Sequence, residues 1–378
     1  MKPKVAIVRG KFLNRYEMQF FEPLASDFDI TAFGSLTSYH KEFAFPVVSL
    51  PSPVDIPDFP LRLPILNRLF IDAHYLFGLE ERLRGYDLVH TAETYFHYTQ
   101  QCLNAKKKGY VKKVIATVLE TIPHNNEGIW GRDAFKWRAR KELDHIIALT
   151  DRTKQALIME GSDPSKITVI PHFIDTKRFN AKKNRADQRD RRDLTVLFCG
   201  RLEWEKGVFD ILEAAKNLIT DTDLSQYRLT YRFVGDGSQR GAMKDQEREY
   251  GFTSFVQHTT VSYDDMPVQY QGADIFIAPS KPTPTWEEQY CTALLEAQAS
   301  GLPIVTTRTG GIPENVGEAT VVVEPGDIEA MTRALKRFIL DPKLRAVYSK
   351  KARKRAETVH DIAIGASKIR TLYRKMLE

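Results

Sequence analysis

The sequence predicts an α/β protein of two Rossmann-like α/β/α domains, and three observations lead there. Short β-rich apolar runs alternate with longer amphipathic stretches along the chain, as βα units and parallel sheets require. The runs are apolar throughout rather than at every second position, so both faces of each sheet are expected to lie under helices. A chain of 378 residues, 42% of them hydrophobic, also has enough apolar surface for two cores of ordinary size.

The first series of runs is KVAIV, DITAF, DLVHT, KVIATV, HIIAL and KITVI, which places an N-terminal domain over residues 1–180. The second series is TVLFC, LTYRFV, DIFIAP, PIVTT and ATVVV, which places a C-terminal domain over residues 194–357. Between them AKKNRADQRDRRD, residues 181–193, is highly charged and strand-free, as an exposed linker would be. The tail from Asp361 reads as a helix with Ile362, Ile364, Ile369, Leu372, Tyr373 and Leu377 on an apolar face. Residues 358–378 are expected to complete the N-terminal domain. Doubly wound sheets bind ligands beyond the carboxyl ends of their strands, so two such sheets facing one another would place a cleft between the domains.

Composition bounds the function more loosely. The 55 Lys and Arg residues against 49 Asp and Glu give a net charge of +6, compatible with anionic small molecules, acidic headgroups or nucleic acid. Cys102, Cys199 and Cys291 are few, odd in number and far apart, which excludes a disulfide framework and a Cys-x-x-Cys knuckle and suits a reducing cytoplasm. The N-terminal MKPKVAIVRGK reads as a buried strand rather than a signal peptide. No apolar run reaches membrane-spanning length, so any membrane contact is expected to be peripheral, at the inner face. The nine His residues show no zincin spacing, and no metal is expected. No G-x-G-x-x-G follows a strand near either domain start, FVGDGSQRG being a distant echo, which disfavours a nicotinamide dehydrogenase. The cluster Lys350, Lys351, Arg353, Lys354 and Arg355 reads as a solvated helix face, and nucleic acid is not expected as a partner.

Two motifs carry chemistry. The strand TVLFC runs into GRLEWEKGVFDILEAA, where Gly200 permits a turn and an amphipathic helix begins soon after Gly207. Arg201 and Lys206 then project near a strand end and a helix start, which suits a diphosphate, the Arg as a fork and the Lys as a point charge. Taken alone, two solvated surface cations would look the same. After DIFIAPS, the stretch KPTPTWEEQYCTALLEAQASGLP enters a helix that ends at Gly301 and Pro303. Glu288 sits at its start, and Glu296 lies inside among Leu294, Leu295, Ala297 and Ala299, where a carboxylate needs hydroxyl or cationic partners. A polar stripe on a half-exposed helix is the alternative. On one helix the two carboxylates would stand about 12 Å apart, beyond the roughly 5 to 9.5 Å of a glycosidase pair, so the pair suits two ends of one long ligand rather than hydrolysis.

In order and spacing, GRLEWEKG, FVGDGS, IAPS, the E-x7-E of Glu288 and Glu296, and GLPIVTTRTGGIPE resemble the family 4 retaining glycosyltransferases of the GT-B fold over most of residues 194–330. The resemblance implies that Arg201 and Lys206 bind the diphosphate of a nucleotide-sugar donor such as a UDP- or GDP-sugar. It also implies that Glu288 contacts donor-sugar hydroxyls and Glu296 ribose hydroxyls, while backbone amides of Tyr290, Cys291 and Thr292 complete the phosphate cradle. Where the family commonly has Glu-Gly-Phe-Gly, this chain has Glu288, Gln289, Tyr290 and Cys291, a departure that either tunes sugar selectivity or reflects different local packing. Cys291 reads as a filler rather than a reactive thiol.

The first half resembles the family through LVHTAETYF, IIALTDRTKQAL and KITVIPHFIDTKRF. Family members often place a His after the strand matching KVIATV. Here Glu120 stands nearest that place and is expected to line the site, His124 either reaches the cleft or does not, and each has a loop-residue alternative. Gly10 occupies the place of the family's glycine-containing loop near donor phosphate and acceptor. The activity implied is retaining, metal-independent transfer of a hexose-type sugar to a saccharide or lipid-linked acceptor. A sugar-nucleotide epimerase or phosphorylase on the same fold, or a non-catalytic nucleotide-sugar-binding protein, is the alternative. FPLRLPILNRLFIDAHYLFGL, residues 59–79, and the cluster Lys106, Lys107, Lys108, Lys112 and Lys113 would serve interfacial binding, against the plainer reading of a buried helix and a solvated loop.

Overall fold

The computed structural model of the chain describes residues 1–181 and 192–378; the stretch expected as a linker lies largely outside the described residues. Two compact units form, one from Met1–Phe173 with Ile362–Glu378 and the other from Ile174–Asp361.

The first unit holds a parallel sheet of β1 (Lys4–Gly10), β2 (Asp29–Ser35), β3 (Val47–Leu50), β4 (Tyr86–Ala92), β5 (Val111–Val118), β6 (His145–Ala148) and β7 (Ile167–Val169). Their spatial order is β3-β2-β1-β4-β5-β6-β7. The second unit holds β8 (Asp193–Cys199), β9 (Arg228–Val234), β10 (Val256–Thr259), β11 (Ile275–Ala278), β12 (Ile304–Thr307) and β13 (Val321–Val323), in the order β10-β9-β8-β11-β12-β13. Both sheets reverse direction once, between β1 and β4 and between β8 and β11. Loops on the two sides of such a reversal diverge and leave room for a ligand at the strand ends.

The continuous apolar runs are buried on both faces. Val5, Ile7, Leu88 and Ile115 pack on one side of the first sheet with Ala366, Ile369, Leu372 and Tyr373 of the C-terminal helix Ile362–Leu377. Ala6, Val8, Val89 and Val114 pack on the other side with Tyr98, Cys102 and Leu103. Each Val, Leu or Ile among these contributes roughly 1.5–3 kcal/mol on leaving water. The buried Tyr373 hydroxyl also meets the His90 ring at 2.7 Å, which fixes the register of the returning helix.

Two strands were not expected from the sequence. VVSL (β3) and VQHT (β10) each form one edge of a sheet and are mostly half-buried or exposed, so they need no continuous apolar run. The boundaries also differ from residues 180 and 358. Ile174 forms a parallel bridge with Asp361 and donates to the His360 carbonyl at 2.7 Å. Phe179 packs beside Tyr263 and Tyr270, which places residues 174–180 with the second unit.

Candidate functional site

In the second unit the loops that leave β8 and β11, the two strands flanking the reversal, meet. Gly200 follows β8, then Arg201, then a short 3-10 turn Trp204–Lys206 closed by Gly207 before the helix Val208–Ile219. Gly207 has φ +71°, and a Cβ there would stand 2.1 Å from the Pro279 carbonyl oxygen, so glycine lets the first loop lie against the second. Lys206 Nζ reaches Glu288 Oε2 at 2.5 Å, and Ser280 Oγ donates to the same oxygen at 2.8 Å. The ammonium also stands 4.8 Å from the Trp286 ring centre. Glu288 is held from behind, because Gly311 N–H donates to its carbonyl at 2.8 Å and a Cβ on Gly310 would come within 1.9 Å of that oxygen. Arg201 does not join them: its side chain is 59% exposed and pairs with Glu205 at 3.2 Å.

Glu288 precedes the helix Thr292–Ala299, so the two glutamates do not share one helix. Glu296 lies within it, buried, and accepts from the Tyr270 hydroxyl at 2.6 Å. Burial pushes its pKa up to about 7, opposed by the Tyr270 hydrogen bond and the positive charge of Arg178. At the start of that helix Cys291 takes φ +58°, ψ 80°, a left-handed conformation that costs a non-glycine residue on the order of 1 kcal/mol. Here lies the physical meaning of the departure from Glu-Gly-Phe-Gly: the last position keeps the backbone that glycine adopts easily. Gln289 is not among the left-handed residues. The Asn315 amide holds the strained segment by donating to the Tyr290 and Cys291 carbonyls, and its Oδ1 accepts from Gln298 at 2.9 Å. Burial pushes the Cys291 thiol up to about 12, which suits a packing role rather than a nucleophile.

Ser280, Tyr270, Trp286 and Asn315 were not singled out from the sequence; nor was Lys281, which pairs with buried Asp210 at 2.7 Å and covers the Trp204 ring at 4.2 Å. Only Asn315 had a usable signal, directly after the motif GLPIVTTRTGGIPE.

Gly10, Glu120 and His124 belong to the first unit. Gly10 ends β1 with φ +55°. Glu120 is buried after β5, and its carboxylate accepts from the N–H groups of Thr121 and Ile122 and from the Asn125 amide, at 3.0, 2.9 and 2.7 Å. His124 is exposed, and its ring meets Glu127 at 2.7 Å. Glu127 also takes Arg140 at 2.9 Å, and buried Glu160 takes both Lys136 and Arg140, at 2.6 and 2.8 Å.

The 59–79 stretch is not a buried helix: within Arg62–Phe70 only Leu66 is buried, while Leu63, Ile65 and Leu69 are exposed. The expected basic cluster is largely neutralised, since Lys106 and Lys113 pair with Asp144, Lys108 with Glu80 and Lys112 with Asp87. Among the described residues no helix is long and apolar enough to cross a membrane.

Comparison with known proteins places these features. Residues 180–355 match the family described as glycosyl transferases group 1, and residues 29–178 match glycosyltransferase family 4. The D-inositol 3-phosphate glycosyltransferase of Corynebacterium jeikeium is 32% identical over 220 residues, 53% of this chain and 50% of that protein. The chain thus spans about half the length of this relative. The UDP-Gal:alpha-D-GlcNAc-diphosphoundecaprenol alpha-1,3-galactosyltransferase of Escherichia coli is 28% identical over 337 residues, 82% of this chain and 81% of that one. The Anabaena protein HepE, solved in complex with UDP-glucose, superposes with a TM-score of 0.77 at 15% identity over 98% of this chain and 99% of its own.

Proposed function

This chain belongs to the family 4 glycosyltransferases of the GT-B fold, and on that premise we propose that it moves a hexose-type sugar from a nucleotide-diphosphate sugar to a saccharide or lipid-linked acceptor, with retention of configuration and without a metal. The observation that carries this reading is the contact between Lys206 and Glu288, 82 residues apart, at the ends of the two strands that flank the sheet reversal.

A diphosphate beside Lys206 would draw its ammonium away from Glu288, leaving that carboxylate free to accept from sugar hydroxyls. Arg201, exposed on the same loop, would add a forked grip on the phosphate oxygens. Backbone amides of Tyr290, Cys291 and Thr292 stand where a helix start favours negative charge. Negative charge grows on the leaving diphosphate as the anomeric bond breaks, so these groups bind it more strongly in the transition state than before and take the part a divalent cation could play. Buried Glu296 would receive the ribose hydroxyls in place of part of its present bonding.

The solved complex of HepE with UDP-glucose makes UDP-sugars the first donors to try. The relatives' names, inositol 3-phosphate and diphosphoundecaprenol, support a phosphorylated or lipid-linked acceptor. The exposed Leu63, Ile65 and Leu69 support contact with a membrane's inner face from the cytoplasm. Release of nucleoside diphosphate from candidate donors, with the anomeric configuration of the product read by NMR, tests the proposal. Near-normal turnover in Lys206→Ala would refute the donor assignment.

A further inference from the structure

The first unit holds a second cluster, at the reversal of its own sheet, that no residue role assigned so far uses. Arg9 sits at an irregularity of β1, where the pairing with β2 slips between Val8 and Gly10. A bulge of this kind re-aims a side chain next to a strand end. Arg9 is only 4% exposed. Its Nη1 donates to the carbonyls of Val8 and His90, both at 3.0 Å, and among the described residues no carboxylate stands within 4.0 Å of it. Two other polar side chains near the same strand ends each hold one buried oxygen without a hydrogen-bond partner. Glu93, directly after β4, is buried with a left-handed backbone at φ +56°. Its Oε1 accepts from Leu119 N–H at 2.8 Å while Oε2 has no hydrogen-bond partner. Tyr98 is wholly buried, and its hydroxyl likewise has none.

A buried guanidinium without a counter-charge is costly, and the acids that act on Arg9 relieve it little. Burial pushes Glu93 up to about 8 and raises Glu17 as well, so both are biased toward the neutral form. Arg9, Tyr98 and a protonated Glu93 are all hydrogen-bond donors, and together they form a set suited to anionic oxygens.

We propose that Arg9, with Glu93 and Tyr98, forms an anion subsite that receives a phosphate group of the acceptor. The assignment to the acceptor rests on the transferase reading; the anion subsite itself does not. It sits at the strand ends of the first unit, whereas the donor residues lie in the second.

The test uses the full chain with Lys206→Ala as background, so that the donor's phosphate position is disabled. Thermal unfolding is followed with inorganic phosphate, with glucose 1-phosphate, and with phosphatidylcholine vesicles with and without phosphatidic acid. At least one of the three phosphates should raise Tm, and adding Arg9→Gln should abolish that rise. Response to the soluble phosphates points to a water-soluble acceptor, and response to phosphatidic acid alone points to a lipid headgroup. Ligand-free Arg9→Gln should unfold at the same temperature as its parent or higher, because an uncompensated charge is removed; a marked fall would assign Arg9 a purely structural role and overturn the subsite. Arg9→Lys, which keeps the charge without the fork, should weaken the response several-fold; an unchanged response, or none of the phosphates acting on the parent, also overturns it. The UDP-glucose response of the Arg9→Gln chain with Lys206 intact separates the two proposals. A nucleotide-sugar response here with no phosphate response in the Lys206→Ala parent removes the subsite alone, and a phosphate response in that parent with no UDP-, GDP- or ADP-sugar binding the Lys206-intact chain removes the transferase reading alone.

Discussion

The two units solve the same problem, polar groups at the reversal of a parallel sheet, in opposite ways. In the second unit the charges are matched in advance: Lys206 with Glu288 and Ser280, Lys281 with Asp210, Glu296 with Tyr270. In the first unit Arg9, Glu93 and Tyr98 are buried with hydrogen-bonding capacity unspent. On the proposed reading, matched groups exchange partners when a ligand of one fixed chemistry, a nucleotide diphosphate, arrives, and unmatched groups wait for the acceptor's phosphate and cost stability until it comes.

The largest effect expected of this contrast is in Lys206→Ala. It removes the cation and leaves Glu288 buried with Ser280 as its remaining side-chain partner, so kcat/KM should fall by about 100-fold or more, roughly 3 kcal/mol of transition-state stabilisation. Arg201→Ala, at an exposed position, should cost about tenfold, since screening halves or more the value of an exposed charge. Equal losses in the two variants, measured by diphosphate release, would break the distinction between the buried and exposed cations.

Next comes the brace behind the second site. Asn315→Ala leaves the Tyr290 and Cys291 carbonyls and Gln298 without their shared partner, and should lower unfolding free energy by about 1–3 kcal/mol in urea titrations. It should also raise the donor KM more than it lowers kcat.

Dependence on pH sharpens the first unit's side of the comparison. Glu93 is raised by burial to about 8, so the folded chain holds a proton that the unfolded chain releases near the ordinary carboxyl value. The stabilisation is complete below that ordinary value and is lost as pH rises through about 8, with a slope of up to about 1.4 kcal/mol per pH unit. Glu296, raised to about 7, adds a loss of the same sign in a window ending one unit lower. Glu93→Gln should therefore flatten the decline in stability from the ordinary carboxyl value up to about pH 8, abolishing it between about pH 7 and 8 and leaving below about pH 7 only the share that Glu296 contributes. An unchanged profile would show that Glu93 is ionised throughout. The smallest effect belongs to Cys291→Gly, which relieves a left-handed conformation and should shift stability by no more than about 1 kcal/mol in either direction, strain relief being offset by the entropy of the unfolded glycine.

Legibility in the sequence also differs between the units. The strand runs, both sheets and the returning helix could be read because continuous apolar segments buried on two faces leave an unbroken pattern; β3 and β10 could not, because edge strands need only half a pattern. In the second unit Arg201, Lys206, Glu288 and Glu296 sit in compact motifs at set spacing. That Lys206 touches Glu288, 82 residues away, while Arg201 does not depends on Gly207 and Gly310 letting separate loops lie together, and no local window contains that. In the first unit Arg9 interrupts an apolar strand and Glu93 follows one, both visible in VRGK and HTAET. That Arg9 finds only carbonyls and Glu93 keeps an unpaired Oε2 emerges only when β1 and β4 are brought side by side.

The most direct test of the central claim is thermal unfolding of the intact chain against UDP-, GDP- and ADP-sugars, repeated in Lys206→Ala. A donor binding the folded state alone raises Tm by mass action, by about 2.7 kcal/mol of stability at a hundredfold excess over Kd. One donor class should stabilise the intact chain, and that shift should vanish in Lys206→Ala while the ligand-free Tm stays within a few degrees. An intact chain indifferent to every nucleotide sugar, or a shift that survives the loss of Lys206, would contradict the account.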